Sequence, residues 1–141
     1  MDERERGLSD PEFIFVYGTL RKSVGHPMNR ALEAHATHAG PGTFPGILYD
    51  LGPYPAAVPD HEGRRVTGEL YRLRQPEQIL PLLDRYEGCT DMDGSGADYR
   101  REVKPVQLPD GESVRAWIYL YNRPTAGLKV IPGGDYLERR K

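Results

Sequence analysis

Residues 13–17, Phe-Ile-Phe-Val-Tyr, are strand-forming and apolar at every position, and Gly18 follows them at once. A strand with one wet face alternates apolar and polar side chains, whereas a strand apolar on both sides has to be covered on both. This segment therefore belongs in the middle of the fold, with further layers on each side. The stretch then continues Gly18-Thr19-Leu20-Arg21. A glycine after a buried strand permits a turn with positive φ and lets main-chain N–H groups approach a ligand with no Cβ in the way. Successive N–H groups in such a turn form an anion-binding nest. An ordinary strand-ending turn is the competing reading.

The rest of the chain supplies the covering layers. Pro27 suits the first turn of a helix, with Met28, Ala31, Leu32 and His35 at helical spacing, and Gly40-Pro41-Gly42 is expected to end that segment. Residues 43–60 mix short apolar pieces with Gly and Pro, which predicts short or bent strands. Residues 65–73 read as a cleaner strand. A second helix is expected from Pro76 to Glu87, with Ile79, Leu82, Leu83 and Tyr86 on one face and Gly88 at the stop. Pro81 predicts either a kink in that helix or a later start. Residues 99–121 form a hairpin around Pro109-Asp110-Gly111-Glu112. Its second strand sets Val114, Ala116, Ile118 and Leu120 against Trp117, Tyr119 and Tyr121, so both faces are expected to be covered. Pro105 places the first strand of the hairpin at an edge or a bulge. The pattern predicts an α+β domain of about six strands and two helices, built on a small mixed sheet or a closed barrel.

The chain has 141 residues, enough for one domain with a real core, and a formal net charge of -2, so nothing marks a nucleic-acid or membrane-surface binder. Cys89 is the single cysteine and has no internal disulfide partner, and no apolar stretch has the length of a signal peptide or membrane span. A cytoplasmic setting is the expectation. Residues 1–12 and 137–141 are charge-rich and read as tails, leaving one domain over residues 13–136.

Two places hold groups capable of chemistry. The first is the Tyr17–Arg21 turn. The chain lacks the glycine spacings of dinucleotide and triphosphate loops, so a carboxylate is the anion expected there. The second is Leu83-Asp84-Arg85-Tyr86-Glu87-Gly88. Glu87 in a last helical turn faces the negative end of the helix dipole, and burial beside Tyr86 adds to that, so its pKa is pushed up and it is fitted for general base and acid work. Asp84 is a second acid or, preferably, a structural hydrogen-bonding group. Cys89 has no histidine near it in sequence to act as a base, and His35 and His38 lack the further ligands a zinc site needs. His26, His61, Ser23 and Thr19 have no triad context. Asp91, Asp93 and Asp98 lack the spacing of a calcium loop and read as part of a solvated connection, which, lying next to Glu87, would serve as a lid over residues 89–98.

Taken in order, FVYGTLR, GPYPAAV, GELYRL, LDRYEG, YRREV, AWIYLY and a late GGDY resemble the gamma-glutamylcyclotransferase-like family, and in particular its small gamma-glutamylamine cyclotransferase branch. The resemblance spans residues 13–136. It implies a small mixed β-barrel with flanking helices and a cavity at one end, no metal and no organic cofactor. It also implies release of 5-oxoproline from a gamma-glutamyl compound, with Tyr17, Gly18, Thr19 and Leu20 holding the glutamyl group and Glu87 as general base. Tyr99 and Tyr121 are expected as cavity hydroxyls, and the expected state is a monomer or weak homodimer acting on a small molecule. Two other readings share the resemblance: a biosynthetic enzyme that removes a gamma-glutamyl protecting group, and a non-catalytic small-molecule-binding or regulatory module.

Overall fold

A computed structural model of the protein describes residues 10–52, 54–60, 62–87 and 98–138. Seven strands and two helices appear among them: β1 (Phe13–Val16), α1 (Pro27–His35), β2 (Ala36–Asp50), β3 (Pro55–Pro59), β4 (Arg65–Leu73), α2 (Pro76–Tyr86), β5 (Tyr99–Gln107), β6 (Ser113–Tyr121) and β7 (Lys129–Val130). The strand order β2-β4-β1-β6-β5 closes into a barrel where Thr43 of β2 pairs with Gln107 of β5. β3 and β7 add to β2 outside the ring. Every pairing is antiparallel except β1 with β6.

β1 sits between β4 and β6, and its two faces serve two cores, as its uniform apolarity predicts. Phe15 points into the barrel with Phe44, Val66, Leu70, Val106 and Ile118, one or more residues from each barrel strand. Ile14 and Val16 point outward to Leu32 of α1 and Ile79 and Leu83 of α2. β6 divides as expected: Ala116, Ile118 and Leu120 line the interior, while Trp117, Tyr119 and Tyr121 meet the helical layer. Full burial of one such aliphatic or aromatic side chain is worth about 1.5–3 kcal/mol, so these two layers carry much of the fold's stability.

Two expectations need correction. Gly40-Pro41-Gly42 does not end a helical segment in a loop: α1 stops at His35, and the chain passes directly into β2, which runs for 15 residues in place of several short strands. A register shift between His38 and Gly40 absorbs the irregularity, and Gly40 adopts φ 112°, so the glycine marks a bulge. Pro81 does not delay α2, which begins at Pro76 and carries Pro81 inside it. The Glu77 carbonyl thereby loses its usual in-helix donor. The expected count of about six strands agrees with the seven found, of which the two-residue β7 gives no periodic signal. Pro105 pairs with Arg115 without a register shift, and β5 touches β2 at a single pair, so its position is that of an edge strand. The chain is anchored from Pro11 onward, which is buried, and the Glu12 carbonyl accepts a hydrogen bond from Leu73 N. No helix among the described residues is long and apolar enough to cross a membrane.

Candidate active site

At one rim of the barrel, the end of β1, the start of β3 and the end of α2 meet around a small cavity that is open to solvent. Phe15 and Val16 at the end of β1 and Tyr17, Gly18, Thr19 and Leu20 after it line the cavity, with Tyr54 and Pro55, Tyr119 and Glu87 completing the wall. A second, outer cavity shares Thr19, Tyr54 and Glu87 and adds Tyr86, Asp98 and Tyr99.

The turn after β1 closes through a hydrogen bond from Arg21 N to Gly18 O at 3.1 Å. Among the described residues, none accepts a main-chain hydrogen bond from the N–H groups of Gly18, Thr19 or Leu20. Gly18, Thr19 and Leu20 all lie in the cavity wall. The expected positive φ at Gly18 is not present. Its glycine has a steric cause instead: a Cβ there would lie 2.8 Å from both Cγ and Cδ of Pro55. A rigid proline ring cannot swing aside, so only glycine lets the turn pack against β3.

Arg21 is 8% exposed, with Nε bonded to Glu69 at 3.2 Å and a terminal nitrogen bonded to Asp135 at 2.8 Å. Behind the turn, Asn29 of α1 is 4% exposed and donates to Leu20 O at 2.7 Å and Tyr71 Oη at 2.9 Å. Buried polar groups are tolerated when fully hydrogen-bonded, and here they fasten the backbone of the turn to α1, β4 and the C-terminal segment. Tyr17 contributes in the same way. Its hydroxyl donates to Tyr119 O and accepts from Ala57 N at 3.3 Å, so it ties β1 to β6 and β3, and burial raises its pKa.

Glu87 caps α2, its N–H bonded to Leu83 O at 2.8 Å. It is partly buried in the wall shared by both cavities. Desolvation, and secondly repulsion from Asp84, raises its carboxyl pKa from 4.5 to about 7. Asp84 itself is a structural acid: Arg101 grips it at 2.7 and 3.1 Å and Tyr119 Oη donates to it at 2.7 Å. Arg101 also lies 4.2 Å over the Trp117 ring. One carboxylate is therefore locked by its partners while its neighbour is left poised near neutrality, a division of labour that separates a structural acid from a proton-transferring one.

The other sequence-picked residues fall as follows. Tyr99 lines the outer cavity, but its hydroxyl donates to Pro55 O at 2.7 Å and so braces the start of β3. Tyr121 lines neither cavity and packs against Tyr99, with ring centroids 5.7 Å apart. Thr19 Oγ1 is 2.6 Å from Tyr86 Oη. His35 meets Gln75 and His38 meets Glu69, so the two histidines have separate partners. His26 caps α1 by accepting from Met28 N at 3.0 Å. Gly88, Cys89, Asp91, Asp93 and His61 lie outside the described residues, as does all of the expected lid except Asp98. Tyr54, Pro55 and Tyr119 are the lining residues that motif reasoning passed over, although GPYPAAV contains two of them.

A family model described as gamma-glutamyl cyclotransferase, AIG2-like, matches residues 14–138. The chain belongs to this family. The gamma-glutamylcyclotransferase family protein YtfP of Escherichia coli is 38% identical over 129 residues, covering 91% of this chain and 98% of that protein. A bovine gamma-glutamylaminecyclotransferase is 37% identical over 90 residues, 56% of this chain and 50% of the relative. Among solved structures, a mouse AIG2-like protein superposes with a TM-score of 0.67 at 29% identity, covering 90% of this chain and 88% of that one. The solution structure of Escherichia coli YtfP gives 0.61 at 35% identity, covering 92% and 99%. In this gamma-glutamylcyclotransferase family chain, the rim cavity thus sits on a barrel shared with both neighbours.

Proposed function

We propose that the protein is a cyclotransferase that releases 5-oxoproline and a free amine from a gamma-glutamyl compound, of the gamma-glutamylamine type. The observation that carries this reading is that Glu87, with a carboxyl pKa of about 7, lines the same cavity as the turn of residues 18–20, whose N–H groups have no main-chain acceptor among the described residues. The N–H groups receive the substrate's α-carboxylate, and charge-assisted hydrogen bonds of that kind are worth about 1.5–3 kcal/mol each. With that end fixed, ionised Glu87 accepts a proton from the α-ammonium. The freed amine attacks its own γ-carbonyl carbon, closing a five-membered ring, and the C–N bond to the departing amine breaks. Protonated Glu87 returns its proton to the departing nitrogen. In all, the lactam nitrogen gives up two protons and the departing nitrogen, leaving as an ammonium, gains two, so neither water nor an external acid is consumed.

Attack within one molecule needs orientation more than a protein nucleophile, and orientation alone lowers barriers by as much as about 7–11 kcal/mol. Glu87 then supplies the proton transfers at a pKa matched to neutral pH. The test is to incubate the protein with gamma-glutamyl amines and gamma-glutamyl amino acids and assay 5-oxoproline. Product formation that disappears in Glu87→Gln is the expected result. A folded protein that forms no 5-oxoproline from any of them overturns the reading.

A further inference from the structure

Thr19, Tyr54 and Glu87 line both cavities. In the cyclotransferase reading Glu87 exchanges protons with two nitrogens, and both are bonded to the γ-carbon after the ring has closed and before the departing amine leaves. A group that shares both cavities with Glu87 therefore stands near that carbon. Thr19 is such a group, and its hydroxyl ends a chain of hydrogen bonds whose direction is set at the far end.

That far end is His26. Its Nδ1 faces Met28 N at 3.0 Å, and a main-chain N–H can only donate, so the ring proton lies on Nε2. Nε2 is 3.5 Å from Tyr86 Oη, and the two rings pack with centroids 5.2 Å apart. Toward Nε2–H the tyrosine oxygen is an acceptor. Its own proton is directed to Thr19 Oγ1, 2.6 Å away. Thr19 Oγ1 accepts that bond, which leaves its single proton for another acceptor, and among the described residues Tyr86 is its one hydrogen-bonding partner.

Resting on the cyclotransferase reading, we propose that the Thr19 hydroxyl donates to the substrate's γ-carbonyl oxygen as attack turns it into an oxyanion, and that Tyr86 is the positioning residue that points the hydroxyl there. As the α-amine adds to the γ-carbon, one electron pair of the C=O bond moves onto oxygen, and it returns when the bond to the departing nitrogen breaks. Thr19 keeps its proton throughout, so the exchange between Glu87 and the two nitrogens is unaltered. A donor aimed in advance at developing charge acts chiefly in the transition state. Without the tyrosine hydroxyl the threonine O–H turns about its C–O bond and is spread over several directions.

Thr19→Val, Thr19→Ser, Tyr86→Phe and the double variant Thr19→Val/Tyr86→Phe test this, assayed by steady-state 5-oxoproline release from whichever gamma-glutamyl amine or amino acid the wild type turns over fastest, with circular dichroism to check the fold. Thr19→Val is expected to lose about a hundredfold in kcat with little change in KM, and Thr19→Ser, which restores the hydroxyl, to recover most of that loss. Tyr86→Phe keeps the ring and the threonine donor and is expected to lose only several-fold. The double variant is expected to match Thr19→Val alone, because Tyr86 acts through that one hydroxyl. Losses that multiply in the double variant, or equal losses from Tyr86→Phe and Thr19→Val, mean that the tyrosine only braces the turn, and either overturns the proposal. Wild-type kcat in Thr19→Val overturns it too. In each of these cases the cyclotransferase reading stands, whereas a wild type that forms no 5-oxoproline from any gamma-glutamyl compound removes both.

Discussion

Two effects act on Glu87 in the same direction, desolvation at the end of α2 and, secondly, repulsion from Asp84 one turn earlier. A general base must be ionised to accept the α-ammonium proton. The wild-type kcat/KM is therefore expected to rise with pH through an apparent pKa of about 7, well above an ordinary glutamate, and a pH–rate profile checks it. Glu87→Gln keeps the side chain's shape and removes the titration. Turnover is expected to fall by about 10²–10⁴-fold with little change in affinity for a gamma-glutamyl ligand, measured by steady-state kinetics and calorimetry. Gly18 contributes by being small. Gly18→Val places branched carbon against Pro55, where a Cβ alone already reaches 2.8 Å, so the turn and the start of β3 are forced apart. Affinity for 5-oxoproline is expected to fall in a variant whose circular dichroism is unchanged; unaltered affinity would remove residues 18–20 from the binding wall.

At the level of elements, the turn after β1 is held by side chains from three neighbours, of which Asn29 on α1 is the most buried donor. Asn29→Leu leaves Leu20 O and Tyr71 Oη without that donor, and unsatisfied buried groups cost about 1–3 kcal/mol each. Denaturant titration is expected to show a loss in that range. Much of this arrangement was legible in the sequence because it is written in periodicity: the two apolar faces of residues 13–17 and of 113–121 name their layers directly, and the glutamate that closes the second helical pattern falls at a helix end by counting. What was not legible depends on contacts made across the fold. A glycine required for a positive φ and a glycine required for a close approach look alike in a sequence, so Gly18 was assigned the wrong cause, and Gly40-Pro41-Gly42 read as a break where the strand carries a bulge. Tyr54 and Pro55 enter the site only because β3 converges on the β1 turn, and the partners that fix Arg21 behind that turn, Glu69 and Asp135, come from β4 and the C-terminal segment.

For the molecule as a whole, closing the barrel places a carboxyl group where water is scarce, and the fold bears a cost for it that depends on pH. In the unfolded chain Glu87 ionises near 4.5 and in the folded protein near 7. Below pH 4.5 both states hold the proton and the residue contributes no penalty. Between the two values the folded state binds more proton than the unfolded one, so stability falls as pH rises, and above about 7 the loss is complete. The two values bound it at about 3 kcal/mol, at 1.36 kcal/mol per pKa unit, and the residue's partial exposure brings the real figure below that. Glu87→Gln, which never ionises, is free of the penalty. Its melting temperature is therefore expected to exceed the wild type's at pH 8 and to match it at pH 4, even as its turnover collapses. A variant equally stable to the wild type at both pH values would mean that the folded protein ionises Glu87 as readily as water does. The base would then lack the raised pKa on which its proposed chemistry depends.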